Sequence, residues 1–250
     1  MLPAEGEIHV WRIALDRGLA EEAHALAALP PVERDDLARF GRPELRRRAL
    51  FARAAQRAIL ARYLGAAPRS LCFDKGTLGK PSLAVAHQDP RKPLHFNLSH
   101  SFERALLAVT CGAPVGIDVE HLRSVRQLEA LAARYLAPAE QAWLLALPEV
   151  ERSKPFLRLW VGKEAVAKAT GEGLQFGLRR IALGLGEEAG RQDALRFDAI
   201  DDDPAAAADW TLEVLDETGD YVAAAAARRA GMVVRRWDFE PLEGGAASGR

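Results

Sequence analysis

Cysteine is nearly absent from this sequence. Its 250 residues carry only Cys72 and Cys111. Two are too few for a disulfide framework or a structural zinc site, and that usage fits a reducing compartment. An excess of one charge is missing as well: 34 Lys and Arg stand against 35 Asp and Glu, a formal net charge of −1. No global field therefore draws the chain to nucleic acid or to a membrane. Nowhere do about 18 apolar residues follow one another, so nothing is expected to span a bilayer. The opening MLPAEGEIHVWRIAL has early acids and no apolar centre, unlike a secretory signal. These absences point to a soluble cytoplasmic protein.

What is present can build a core, since 49% of the residues are hydrophobic. Alternation from Ile8 to Leu15 predicts a strand. Ala20 to Leu29 and Val32 to Arg39 read as short helices. Pro43 to Leu64 reads as a long one, with proline in its first turn and Gly65 past its end. Its expected inner face is Leu45, Ala49, Ala52, Gln56, Ile59 and Tyr63. Strands are expected over Leu71–Asp74, Leu94–Ser101, Arg104–Cys111 and Val115–Glu120, the last two forming a hairpin about Gly112-Ala113-Pro114. Helices follow over Ser124–Leu136, Pro138–Leu147 and Lys154–Thr170. Phe176–Leu185 reads as strand, and Glu187–Ala208 as acidic, alanine-rich loop with weak strand. Trp210–Leu215 and Tyr221–Ala227 suit a hairpin about Asp216–Asp220, and Met232–Phe239 a last strand. There is no sequence repeat, but the two halves have similar element content. The class is α+β, divided at residues 1–114 and 115–242, with a disordered tail expected over 243–250.

Three stretches carry chemistry. In Val115–Glu120, VGIDVE, residues two apart share a face of a strand. Asp118 and Glu120 then point one way, and Ile117 and Val119 enter the core. Side-by-side carboxylates need a cation, a proton or open water. They are either an exposed strand end or ligands for a hard divalent ion such as Mg²⁺ or Mn²⁺. In Trp160–Leu174, WVGKEAVAKATGEGL, a helix runs into Gly171 and Gly173. Glu164 and Lys168 are one turn apart and can pair on its face, with Lys163 beside them. Glu164 becomes a third metal ligand if this helix packs on the acidic strand. In Asn97–Ser101, NLSHS, Ser99 and His100 can donate to a phosphate at a strand end, and oxygen-rich ligands leave His100 outside the metal set. Upstream, Lys75–Pro81 is a glycine-punctuated loop with two lysines, which offers N–H groups and charge to a phosphate but lacks Walker A spacing. Seven arginines between Arg42 and Arg62 crowd the long helix. A solvated face, a nucleic-acid helix and a local anion site are the readings open to it.

Taken together, F-N-x-S-H-S, then G-I-D-V-E, then W-x-x-K-E-A-x-x-K-x-x-G-x-G-L resemble the three signature blocks of the 4′-phosphopantetheinyl transferases. Order and spacing resemble the long, monomeric (Sfp-type) class that activates peptide and polyketide synthases. The likeness extends upstream through Gly79-Lys80-Pro81 to Arg48.

The resemblance implies two similar halves about a pseudo-twofold axis, with coenzyme A between them. By that likeness Asp118, Glu120 and Glu164 are the metal-binding acids, and Lys163 and Lys168 flank the pyrophosphate. Gly79, Lys80 and Pro81 line the adenine end. Ser99, His100 and Arg48 surround the 3′-phosphate. The implied reaction is Mg²⁺-dependent transfer of the phosphopantetheine arm to a serine of an apo acyl or peptidyl carrier protein, releasing 3′,5′-ADP. Glu164 or a metal-bound water takes the serine proton, and Lys168 acts at the leaving oxygen. No nucleic acid or membrane is implied as a partner. One departure stands out: Glu33 and Asp36 occupy positions where lysines precede the basic helix in other members, with Arg34 or Arg39 as substitutes. Two rival readings use the same residues, another Mg²⁺-dependent phosphoryl or nucleotidyl transferase and a non-catalytic carrier-binding module.

Overall fold

The computed structural model describes residues 2–76, 78–188, 191–215 and 219–240. The expected tail over 243–250 and most of the expected turn at Asp216–Asp220 lie outside them.

In chain order the elements are β1 (Glu7–Ala14), α1 (Leu19–Ala27), α2 (Pro31–Ala38), α3 (Pro43–Leu64), β2 (Phe73–Lys75) and β3 (Pro81–Leu83). Then come β4 (Leu94–Ser101), β5 (Arg104–Cys111), β6 (Val115–His121), α4 (Leu128–Tyr135), α5 (Pro138–Ala146) and α6 (Ser153–Thr170). The chain ends with β7 (Ile181–Glu188), β8 (Arg191–Ile200), α7 (Pro204–Ala208), β9 (Thr211–Leu215), β10 (Tyr221–Ala227) and β11 (Val233–Asp238).

One sheet has the order β11-β1-β5-β4 and a second the order β6-β10-β9. Period-two alternation gives each sheet two apolar faces. In β5, Ala105, Leu107 and Val109 join Leu50, Phe51, Ala55 and Ile59 of α3. Leu106 and Ala108, from the other face, meet Val115, Ile117 and Val119 of β6 and Ala223, Ala225 and Ala227 of β10. The outer face of the second sheet, with Val222, Ala224 and Ala226, is covered by Leu159, Val161, Ala165 and Val166 of α6. The layers therefore run α3, first sheet, second sheet, α6. Alanine is a poor strand former, but the alanine run Ala223–Ala227 suits β10. Helix and sheet close in on it from either side, and every one of these alanines is fully buried.

The class is α+β as expected, with several differences in detail. The expected hairpin of β5 with β6 does not form. β5 pairs with β1 and β4, and Gly112, at φ 83°, turns the chain into the second sheet, where β6 pairs with β10. β11 runs parallel to β1, Glu7 opposite Val233, so the last strand lies in the first sheet. The segment expected as loop with weak strand carries the ten-residue strand β8 and the helix α7. The inner face of α3 is wider than expected: Ala52 and Ile59 are buried as expected, but the burial extends beyond that stripe. Leu45 is exposed while Leu50, Phe51, Ala54, Ala55 and Leu60 are buried, because α1, α2 and the sheet enclose α3 on several sides.

Candidate functional site

β4 and β6 are edge strands of different sheets, and side chains rather than a ladder join them. Ile117 N–H donates to Asn97 Oδ1 at 2.9 Å. Ser99 Oγ donates to Asp118 Oδ1 at 2.8 Å. Ser101 Oγ donates to Glu120 Oε2 at 3.0 Å and accepts from His121 N–H at 3.1 Å. Asn97 and Ser101 were not among the expected site residues. Their signal was in the sequence: N-x-S-x-S places three polar groups on one face of a strand, which a free surface does not require.

Asp118 faces α6, as strand parity dictates, but it is not solvent-facing: it is 5% exposed. Lys168 does not pair with Glu164 on its own helix. Its Nζ donates across to Asp118 Oδ1 at 2.6 Å and to Ser99 Oγ at 3.1 Å. Burial pushes the Asp118 carboxyl above the usual carboxylate range, and Lys168 and Ser99 pull against that shift. Glu120 is held by Arg123 at 2.8 Å. Glu164 is pushed up too, first by burial and then by Asp118, with Glu120 a smaller cause. Three acids thus face two cations, Lys168 and Arg123, and one negative charge is left over.

Among the described residues no three acidic, histidine or cysteine side chains form a ready metal cage. The donor set nevertheless fits a hard divalent ion. Asp118 Oδ2 is buried and has no hydrogen-bond partner, an arrangement costly to leave bare. It belongs to a group of oxygen donors that repel one another.

The other expected residues fall at different places. His100 is exposed next to this cluster, where the surrounding protein and the Lys168 ammonium hold its ring below the usual imidazole range. Arg48, on α3, sends its side chain to the β4–β5 turn. It donates to Glu103 Oε1 at 3.2 Å and stacks over Phe102 at 5.1 Å. Gly79, at φ 84°, shapes the loop that ends at Lys80 and Pro81. Lys163 is corrected. It is 0% exposed and its Nζ pairs with Glu140 at 2.7 Å, with Leu178 O and Ile181 O as further acceptors. It sits on the opposite side of α6 from Lys168 and cannot reach a ligand from there.

Much of the basic helix is structural as well. Arg57 is buried, with Nη2 2.5 Å from Glu33 Oε1 and Nη1 on Pro68 O and Leu71 O. Arg53 and Arg62 bond backbone carbonyls of Glu33 and Glu240. Glu33 is therefore the counter-ion of a buried arginine. Of the two substitutes considered for the missing lysines, Arg34 donates to Leu29 O and Arg39 pairs with Asp36. Glu33→Lys, which restores the residue type found elsewhere, is expected to lower stability by about 1–3 kcal/mol, since it removes a hydrogen-bonded partner of a buried charge. A thermal melt checks this; an unchanged or raised melting temperature refutes it.

A family model described as 4′-phosphopantetheinyl transferase superfamily matches residues 114–226. A second, for the N-terminal part of these enzymes, matches residues 19–112. The 4′-phosphopantetheinyl transferase HetI of Nostoc sp. is 42% identical over 168 residues, 67% of this chain and 70% of that protein. The chain belongs to the 4′-phosphopantetheinyl transferase family. The transferase psf-1 of Bacillus pumilus is 34% identical over 57% of this chain and 58% of its own. Sfp of Bacillus subtilis is 29% identical over 72% of this chain and 77% of its own. Consecutive matches to an N-terminal and a superfamily model mark the long, Sfp-like type. The chain is accordingly a transferase of the holo-carrier-protein synthase class, and neither rival reading is favoured. No helix among the described residues is long and apolar enough to cross a membrane.

Proposed function

We propose that this enzyme moves the 4′-phosphopantetheine arm of coenzyme A onto a serine of an apo acyl or peptidyl carrier protein in the cytoplasm, as a monomer, and releases 3′,5′-ADP. The observation that carries this reading is the buried, unpartnered Asp118 Oδ2. It lies where Lys168, Glu120 and Glu164 converge. Asp118, Glu120 and Glu164 would hold Mg²⁺ or Mn²⁺, which when bound neutralises pyrophosphate charge.

The chain's own groups supply the rest. Ser99 and Asp118 fix the Lys168 ammonium from two sides, so it is poised to give a proton to the leaving phosphate oxygen. Glu164 has a carboxyl pushed up by burial and by Asp118, against the pull of Lys168, and a carboxylate held in reach of the nucleophile can serve as a base. It would accept the proton of the incoming serine hydroxyl. His100, Arg48 and the Gly79–Pro81 loop extend the polar surface away from the acids, as a substrate with a separate 3′-phosphate and adenine needs.

Incubation with coenzyme A, Mg²⁺ and an apo-carrier, followed by intact-mass measurement, is expected to show the carrier heavier by one phosphopantetheine. It should show none when Mg²⁺ is chelated. An unmodified panel of fatty-acid, polyketide and peptide carriers would sink the proposal.

A further inference from the structure

Lys80 belongs to the β2–β3 loop, closed by Gly76 N–H on Lys80 O at 3.0 Å and Gly79 N–H on Gly76 O at 2.9 Å. Its side chain leaves that loop. Nζ donates to Val115 O at 3.0 Å, Lys168 O at 2.5 Å and Ala169 O at 3.5 Å. Val115 opens β6. The other two acceptors lie in the last turn of α6, where carbonyls lack a donor one full turn further on within the helix and a cation is favoured by the helix dipole; Lys168 O also accepts from Gly171 N–H at 3.3 Å. The stem lies along the helix end, with Cδ 4.0 Å from where a Cβ on Gly171 would stand. Enclosure brings the amine down to about 8, as fits a group turned into the protein.

Strand and helix approach closely at this same place. A Cβ on Gly116 would fall 2.0 Å from Ala165 O and 2.5 Å from Ala169 N, so backbone meets backbone with no side chain between. Lys80 bridges the seam. One of its acceptors is the carbonyl of Lys168, whose own side chain reaches Asp118, three residues along β6 from Val115.

We propose that Lys80 is a positioning residue for transfer: its ammonium clamps the last turn of α6 to the start of β6 and so holds Lys168 on Asp118. It does not act by contacting the substrate. The loop that carries it and the helix that carries Lys168 then keep a fixed spacing. This inference rests on the function proposed above, and its test has an arm that does not.

Lys80→Met keeps the stem and removes the donor, and Lys80→Gln keeps a shorter donor. Hydrogen exchange of the whole protein, read over residues 165–171, is expected to quicken about tenfold in Lys80→Met as the helix end frays. In turnover assays its kcat should fall about tenfold, because small displacements of a reacting group are costly. KM for coenzyme A should move less than about twofold. Lys80→Gln should lie between wild type and Lys80→Met on both readouts. A KM increase at unchanged kcat would overturn the proposal and place Lys80 on the ligand. Unchanged exchange over 165–171 would overturn it independently. Should wild-type enzyme modify no carrier, the function fails, and exchange alone decides the clamp.

Discussion

Asp118→Asn is expected to lower phosphopantetheine transfer by about 10³-fold, because several kcal/mol of charge stabilisation passes through this carboxylate. The protein should stay folded. Asparagine matches the shape of aspartate, and its carbonyl oxygen can still accept from Ser99 and Lys168, which now bond Asp118 Oδ1. Lys168 loses its counter-ion but keeps some access to water, with a side chain 25% exposed. Burial raises the Asp118 pKa, so the folded chain binds this proton more readily than the unfolded one. Stability from this group is full below its unfolded pKa and declines as pH rises through its folded one. The amide of the variant does not titrate and has no such decline, so without metal the variant should melt at or slightly above the wild-type temperature at neutral pH. Mass-detected turnover across a Mg²⁺ titration, with a melt beside it, checks both parts. Turnover within about tenfold of wild type would remove Asp118 from the ligand set.

The site was legible in the sequence to the extent that it obeys short-range geometry. Strand parity put Asp118 and Glu120 on one face and Ile117 and Val119 on the other, and the fold agrees. Proline at the start and glycine at φ 62° after the end bounded α3 correctly. What could not be read was what lies opposite each face. Asp118 is enclosed rather than open because α6 covers the outer face of β6, and that depends on a contact between residues some 50 positions apart. The Glu164–Lys168 spacing predicts an intrahelical pair, worth a few tenths of a kcal/mol. A buried carboxylate across the seam competes better for Lys168, because a desolvated charge gains more from a partner than an exposed one does. Likewise β6 looked like the second arm of a hairpin because only the short Gly112-Ala113-Pro114 turn separates it from β5, yet Gly112 sends it into another sheet. Glu33 stands out in the sequence only as an acid in place of a lysine ahead of the basic helix, whereas its partner, Arg57, is 24 positions away. Local pattern reports which way a side chain points; long-range packing decides what it meets.

Lys163 and Lys168 test that distinction within one helix. The sequence resemblance places both at the pyrophosphate, but the structure puts them on opposite sides of α6. Lys163 Nζ bonds Glu140 Oε2 and the carbonyls of Leu178 and Ile181. Glu140 in turn accepts from Ala137 N–H and Leu183 N–H, each at 2.7 Å. Burial pushes the Glu140 carboxyl up and the Lys163 amine down, and each opposes the shift of the other. α5 and the start of β7 are thereby tied to α6. Lys163→Met fills the same space but strands a buried carboxylate and two carbonyls. The expected cost is about 3–5 kcal/mol, about a fifth or more of the stability of an ordinary domain. Below its lowered melting temperature, the folded variant should keep kcat within about threefold and KM for coenzyme A nearly unchanged. Glu140→Gln should reproduce the loss in milder form and keeps the test open if Lys163→Met does not fold. Lys168→Met should show the converse balance, a large fall in kcat with a smaller loss of stability, since Asp118 keeps the Ser99 hydrogen bond and burial already pushes its carboxyl up toward the neutral form. If instead Lys163→Met melts like wild type and binds coenzyme A poorly, or if Glu140→Gln is silent, Lys163 acts on the substrate and the buried ion pair is not what holds α5, α6 and β7 together.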